Sequence, residues 1–596
     1  MPVYHAPLKE MQFVLHQTLN IGQHYAELGY QDATPDLVDA VLEEAGKFTE
    51  SVIAPLNRVG DEQGCRFDNG EVTTPEGFKA AYQQYIDAGW PTLAQPTQFG
   101  GQGLPYSLNL VCAEMQSAAN HAFAMYPGLS HGAQATLMAH GDEALQARFM
   151  PKLVSGEWTG TMCLTEAHCG SDLGLLRTKA TPQEDGSYRL DGSKIFISSG
   201  DHDLAENIVH IVIARIEGAP AGTKGISLFL VPKMAVADDG SITGRNGVSC
   251  GSIEHKMGIH GNATCVINFD GATGYLLGEP NRGLNAMFTF MNAARVGVAA
   301  EGVAAAEASF QGALAYARER LQMRSLSGVK APDKPADPII VHPDVRRMLL
   351  TQKAIAEGGR ALVYEMASWV DISKNRTVSS EARQRAEARL SLLTPIAKAF
   401  LTEMGFEATS LGVQVFGGHG YVAEWGMEQL MRDTKISCLY EGTTGIQALD
   451  LLARKVLGSR GALLEGYCTE LAHWWHAQNL PESLQPLRQQ LLAHLQQWGE
   501  LTQGIAVRAQ QNPDEIGAAS VDYLMFAGYV VLAHQWLKMA LAADALKERD
   551  PDLCQAKQET AYFVFARLLP KAASHAVLAA QSSDSLMRLP ESAFGR

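Results

Sequence analysis

The feature that most limits how this chain can fold is a change in hydrophobic period. Up to about residue 157, and again from residue 281, apolar residues recur at helical spacing. Between these blocks SYRLDGSKIFIS, NIVHIVIARI, GISLFLVP and ATCVINFD are short β-branched runs bounded by Gly, Pro or Asp. A strand block enclosed by helical blocks predicts an α+β chain and not an alternating βαβ one. The expected order is an N-terminal helical arm (1–33), an all-α N-terminal domain (34–157) and a central β-barrel-like domain (158–280). An α-helical bundle domain (281–458) and an additional C-terminal α-helical domain (459–596) follow.

Thr34-Pro35 has the cap-then-proline order of a helix start, after which Leu37, Val41, Leu42, Ala45, Phe48 and Val52 share one face. A second helix carries Phe78, Tyr82, Tyr85 and Ile86, so this first section is expected to be nearly all helix. In the β block a turn is expected at Asp191-Gly192. Beyond Gly283 one long helix, then others over about 343–375 and 380–415, are interrupted by Ser325 to Pro338, whose Pro, Lys and Asp content reads as an exposed loop.

A net charge of -16 and a pI near 5.6 argue against nucleic acid or an anionic membrane as the main partner. The N-terminus resembles neither a signal nor a transit peptide, and the expectation is a cytoplasmic protein. Nine cysteines without a paired CxxC spacing fit reduced thiols and give no zinc site. His473 and His476 lie one helical turn apart, but no Cys or carboxylate completes a ligand set nearby, so no metal is expected.

The densest chemistry lies between Val413 and Gln447. Gly417, Gly418 and Gly420 form a cluster that is not a dinucleotide fingerprint, because a helix and not a strand precedes it. Glu441 follows, set between Tyr440 and Gly442. Without a Cβ, Gly442 lets the backbone approach a ligand, and a carboxylate beside an apolar wall such as Tyr440 has its pKa raised toward the range useful for proton abstraction. Two further motifs precede it: TEAHCGSD over Thr165 to Asp172, and KIFISSG over Lys194 to Gly200.

In this order the three motifs resemble those of the acyl-CoA dehydrogenase family, over roughly residues 35 to 457. The added C-terminal domain is similar to that of the long forms, which include very-long-chain and 3-methylthiopropanoyl-CoA dehydrogenases. The resemblance implies FAD as cofactor and an acyl-CoA substrate. Glu441 matches the base that removes the α proton while the flavin accepts the β hydride. Cys163, Thr165, Gly170 and Ser171 match the cofactor loop, Ser171 also facing the substrate. Phe196 takes the place of a Trp that shields the flavin, and Ser198 that of a hydroxyl residue beside its hydride-accepting nitrogen. Arg320, Gln414 and Gly418 match residues that reach the FAD of a neighbouring subunit, which implies a homodimer. Thr443 and Gly445 match positions lining the cofactor after the base, Tyr440 and Gly442 match substrate-side positions, and Arg295 matches an arginine close to the active site that serves either the substrate or packing under Glu441. The sequence departs from the family at Ala167-His168-Cys169, where proline usually follows the TE pair, at Met323-Arg324 and at His342-Pro343.

The implied reaction is α,β-desaturation of a saturated acyl-CoA to a trans-2-enoyl-CoA in fatty acid β-oxidation, with electrons passed to an electron-transfer flavoprotein. Small alanines in AEMQSAANHAFAMYPG leave room for a medium to long chain. The alternatives are a short sulfur-bearing acyl group, as in 3-methylthiopropanoyl-CoA, and an acyl-CoA oxidase. Joint retention of Glu441, Thr165, Ser171, Arg320 and Gln414 argues against a flavin-free scaffold. The C-terminal domain is expected to keep the assembly at two subunits and not to dock on a membrane.

Overall fold

The computed structural model describes residues 3–595; residues 1 and 2 of the expected arm and residue 596 of the C-terminal domain lie outside the described residues. The chain divides into two compact units, Glu44–Gly297 and Met1–Glu43 with Val298–Arg596.

In the unit Glu44–Gly297, helices Phe78–Asp87, Tyr106–Ala119, His121–His140 and Glu143–Ser155 precede the main sheet. Asn120 separates two of them and caps the second by accepting from Phe123 N–H at 3.1 Å. This section is not all helix. A hairpin joins β1 (Arg66–Asp68) to β2 (Glu71–Thr73) through Asn69-Gly70, with φ of 50° and 83°. Asn-Gly supplies the positive φ values that a tight hairpin requires.

Further strands follow: β3 (Trp158–Cys163), β4 (Lys179–Pro182), β5 (Tyr188–Ser198), β6 (Asn207–Ile216), β7 (Ile226–Pro232), the hairpin β8 (Met234–Val236) and β9 (Ile242–Arg245), β10 (Val248–Ile253) and β11 (Thr264–Leu277). The pairing β11-β5-β4-β6-β7 returns from β7 to β11 and closes a ring, with β3 added beside β6 in parallel and β10 beside β11 antiparallel. The central domain is therefore barrel-like, and the ring strands gain pairing on both sides. The first eight residues of β6 are all buried. One face of β6 lines the interior with Val212 and Ala214, and the other packs Val209, Ile211 and Ile213 under Phe149 and Met150 of the preceding helix. Burial on both faces explains its unbroken apolar run.

No turn occurs at Asp191-Gly192. β5 runs straight through, pairing Asp191 with Lys179 and Asp270 and Gly192 with Phe269. The glycine is required by packing: a Cβ there would stand 2.9 Å from Thr178 Cα and 2.7 Å from its Oγ1. Gly192→Ala is expected to push β5 away from Thr178 at a cost of about 1–3 kcal/mol, measured as a lower denaturation midpoint.

In the other unit, helices Pro343–Lys374 and Ser380–Phe416 lie against each other, and Asp514–Asp544 packs on both. Trp536 on that third helix donates to Ala354 O at 2.9 Å, and Gly358 leaves room for its indole. The helix Asp514–Asp544 is long and apolar enough to cross a membrane, with mean hydropathy 1.6, yet 67% of that window is buried inside the protein. Core burial is sufficient reason for a helix apolar all round. The arm is tied in by Lys557, which is fully buried, donates to Glu357 at 2.7 Å and to Glu10, and stands 4.8 Å from the Phe13 ring centre.

Two further expectations need adjustment. A π-type turn over Thr49–Ile53 continues the helix Pro35–Phe48, and the buried stripe runs through Val38, Leu42, Ala45, Thr49 and Ile53, with Leu37, Val41, Phe48 and Val52 only half-buried beside it. The segment from Ser325 to Pro338 is exposed for much of its length but ordered around Asp337, a fully buried carboxylate. Asp337 accepts from the N–H groups of Ser325, Lys330 and Ala331 at 2.7–3.0 Å and from Arg324 at 3.2 Å.

Candidate active site

The unit Glu44–Gly297 carries one set of site residues. The strand β3 ends at Cys163, whose thiol is buried inside the barrel near Thr161 and His210; burial pushes it up to about 12. Its main chain alone remains for a ligand. The loop that follows is fixed by a buried ion pair. Glu166 and Lys194 are 2.9 Å apart, and the lysine also donates to Leu164 O at 2.9 Å. Glu166 further accepts from Thr178 N–H and Oγ1 and from Arg177 N–H. Burial opposes its ionisation, but Lys194 and these donors outweigh it and hold the carboxyl down at about 2; burial also pulls the Lys194 ammonium below its usual range despite its partner. Where the family proline is missing, Glu166 and Cys169 bridge each other through their main chains at 2.9 and 3.0 Å. Thr165 is thereby held half-buried against Gly170, with Ser171 exposed beyond.

Phe196 owes its orientation to a bulge. Cys265 pairs with Ile197 and Ile267 with Lys194, so two residues of β5 stand opposite one of β11. At this bulge Phe196 has φ of 58° and is 59% exposed, with Ser198 half-buried two residues on. Left-handed backbone at an aromatic residue costs energy, and bulges of this kind re-aim a side chain. The exposed Phe196 ring offers the flat apolar face that an isoalloxazine ring requires, and Ser198, two residues on, and Thr165, whose carbonyl accepts from Ile195 N–H at 2.9 Å, bring hydroxyl donors to the same strand end.

The other unit carries the second set. Arg320 and Gln414 are exposed, at the ends of the helices Gly283–Glu319 and Ser380–Phe416. The glycine cluster forms a 3-10 turn over Gly417–Tyr421. Gly420 is needed for close approach, since a Cβ would stand 2.3 Å from Val413 O, while a Cβ at Gly418 or Gly445 would meet nothing within 4 Å. Tyr316, Phe416, His419 and Trp425 brace this turn by stacking, with Tyr316 and His419 hydrogen-bonded at 2.9 Å.

Glu441 is half-buried and has φ of 55°. A non-glycine residue held there costs about 1–3 kcal/mol and persists only where its surroundings over-determine it. Three contacts do so. Gln447 donates to Glu441 O at 2.8 Å, the buried Lys398 donates to Gly442 O at 2.7 Å, and Tyr440 donates through its hydroxyl to Glu301 at 2.5 Å. Burial, then the Glu301 carboxylate, raise the Tyr440 phenol well above its usual range, so it stays protonated. Thr443 caps the short helix Thr444–Leu449 by accepting from Ile446 N–H, and Thr444 donates to Glu403 at 2.6 Å. Arg295 is buried, in the unit Glu44–Gly297. Sequence reasoning missed Glu166, Lys194, Glu301, Lys398 and Gln447. Glu166, Lys194 and Gln447 had a signal, as members of the TE pair, of KIFIS and of the stretch Val413 to Gln447; Glu301 and Lys398 had none.

Family models match along the chain in order: acyl-CoA dehydrogenase, N-terminal domain (36–157), middle domain (161–272) and C-terminal domain (281–457), then acetyl-CoA dehydrogenase C-terminal like (465–590). The 3-methylmercaptopropionyl-CoA dehydrogenase of Ruegeria pomeroyi is 41% identical over 594 residues, 98% of this chain and 99% of that protein. The chain belongs to the acyl-CoA dehydrogenase family. It is therefore an oxidoreductase of the acyl-CoA dehydrogenase type. The broad-specificity linear acyl-CoA dehydrogenase FadE5 of Mycobacterium tuberculosis is 32% identical over 99% of this chain and 100% of that protein. An acyl-CoA dehydrogenase from Bacillus anthracis complexed with FAD shares the fold, with a TM-score of 0.73 at 21% identity, covering 93% of this chain and 90% of that one.

Proposed function

We propose that the protein is an FAD-dependent dehydrogenase that desaturates straight-chain acyl-CoA thioesters, of medium to long chain, at the α,β bond. The observation that carries this is Glu441, a carboxylate in a strained left-handed conformation between a protonated Tyr440 and a glycine, at the position that the motif resemblance assigns to the base. When bound, FAD supplies the hydride acceptor. Thr165 and Ser198 would hold it by hydrogen bonds and Phe196 would cover it, while Gly418, Gln414 and Arg320 would meet the cofactor of a second copy. Glu441 takes the α proton of the thioester, and main-chain N–H groups near it stabilise the enolate oxygen; losing one such donor costs about 3–4 kcal/mol in comparable sites. In the unit Glu44–Gly297 we assign Ser171 and Arg295 to the acyl-CoA and Cys163 and Gly170 to the cofactor; in the other unit we assign Gly442 to the acyl-CoA and Thr443 and Gly445 to the cofactor. Electrons pass to an electron-transfer flavoprotein in the cytoplasm.

The named specificity of the Mycobacterium relative and the buried alanines Ala118, Ala119 and Ala122 favour a linear chain. A second reading, 3-methylthiopropanoyl-CoA as substrate, is favoured by the Ruegeria relative, similar over almost its whole length. Rates of flavin reduction with C4, C8, C12 and C16 acyl-CoA and with 3-methylthiopropanoyl-CoA separate the two. The first reading expects C8 to C16 to be fastest; a clear maximum for the sulfur-bearing ester would replace it with the second. Slow reoxidation of the reduced flavin in air is expected, and prompt peroxide formation would indicate an oxidase. Exposed Met323, Leu326 and Tyr421, close in sequence to Arg320 and Gly418, support a homodimer, which light scattering would register against a monomer.

A further inference from the structure

We propose that Glu301 is a positioning residue for the catalytic base, acting through Tyr440 and Ser437. This rests on the reading of Glu441 as the base. Glu301 lies on the helix Gly283–Glu319, 140 positions away in sequence from the base, and no motif marks it. One of its oxygens, Oε2, accepts from Ser437 Oγ at 2.8 Å and from Tyr440 Oη at 2.5 Å. The two donors bracket the turn that leads into Glu441. Ser437 is fully buried in the 3-10 turn Lys435–Cys438, and Tyr440 is the residue immediately before the base. A charge-assisted bond from a phenol is short and directional, so it fixes the ring, and with it the main chain entering the left-handed Glu441. Gln447 and Lys398 hold the chain after the base at the carbonyls of Glu441 and Gly442. Glu301 is the corresponding hold before it. Without it the chain entering Glu441, with its φ of 55°, loses its side-chain hold at Tyr440, and the carboxylate samples directions away from the α proton.

The role predicts a loss in the chemical step and not in binding. The test uses the FAD-loaded full-length protein and anaerobic rapid mixing with its best straight-chain acyl-CoA. Glu301→Ala is expected to slow flavin reduction by about tenfold to a hundredfold, for a misplaced base, while the substrate concentration giving half-maximal rate moves less than about threefold. Glu301→Gln, whose amide oxygen still accepts, is expected to recover most of the rate. Because the two side chains act as a unit, Tyr440→Phe combined with Glu301→Ala is expected to be little slower than either alone. Wild-type rates in flavin-loaded Glu301→Ala, or fully additive losses in the double variant, overturn the proposal. If Glu301→Ala fails to fold, Tyr440→Phe and Glu301→Gln decide it: wild-type rate in Tyr440→Phe overturns it, as does a rate in Glu301→Gln no better than in a folded Ser437→Ala, Tyr440→Phe double variant. Glu441→Gln, run beside them, separates the two levels. Full rate there overturns the assignment of the base and this inference together; loss there with full rate in Glu301→Ala overturns this inference alone.

Discussion

Glu441→Gln is expected to slow reduction of the bound flavin by about 10²–10⁴-fold, the range for removal of a general base, with flavin content and melting temperature unchanged. The substitution is suited to the question. The contacts that hold the residue in its left-handed conformation reach its main chain and its neighbours: Gln447 to Glu441 O, Lys398 to Gly442 O and Tyr440 to Glu301. None of these is removed by exchanging the carboxylate for an amide of the same shape. What is removed is the capacity to take a proton. Stopped-flow absorbance under anaerobic conditions measures the effect directly, and a loss of less than about tenfold would mean that another group takes the α proton.

Lys194→Met is expected to destabilise the unit Glu44–Gly297 by about 3–5 kcal/mol, because it leaves the Glu166 carboxylate buried without its counter-charge. Lys194 has no exposed side-chain surface and Glu166 only 5%. The lysine also anchors Leu164 O, so the loop bearing Thr165 loosens and flavin affinity falls with stability. Adding Glu166→Gln is expected to restore part of the loss, since the pair's main cost is the charge left alone. The pH dependence has a defined sign. The folded Glu166 carboxyl is held at about 2 against an ordinary value of 4.5, so its contribution is fully present above about pH 4.5 and is lost as the pH falls toward 2. In Lys194→Met that acid-dependent part of the stability is expected to shrink, as read from denaturant midpoints between about pH 2 and 5.

The residues that the sequence made legible are those whose chemistry is contiguous. Tyr440-Glu441-Gly442 and Gly170-Ser171 announce themselves because the side chain and the backbone freedom it needs stand side by side. Glu301 does not, since it meets Tyr440 only once a helix begun at Gly283 has packed beside a turn at Lys435–Cys438. Phe196 was legible as an aromatic residue in the right place, but its outward turn depends on a bulge against β11, a register effect that no local pattern reveals. Two similar dipeptides had opposite outcomes. Asn69-Gly70 makes a hairpin in a section that reads as helical, whereas Asp191-Gly192 reads as a turn and lies inside a strand, its glycine fixed by the approach of Thr178. The helical blocks were legible because period is a property of many residues, yet the buried positions Val38, Thr49 and Ile53 fall one residue past the expected Leu37, Phe48 and Val52.

The most direct test of the account is to mix the FAD-loaded protein anaerobically with one equivalent of its best acyl-CoA and follow both the flavin absorbance and the mass of the CoA ester. The expected result is bleaching of the flavin together with a 2-enoyl ester lighter by two hydrogens, both lost in Glu441→Gln. A protein that stays yellow with every acyl-CoA offered, and returns each ester unchanged, would contradict it.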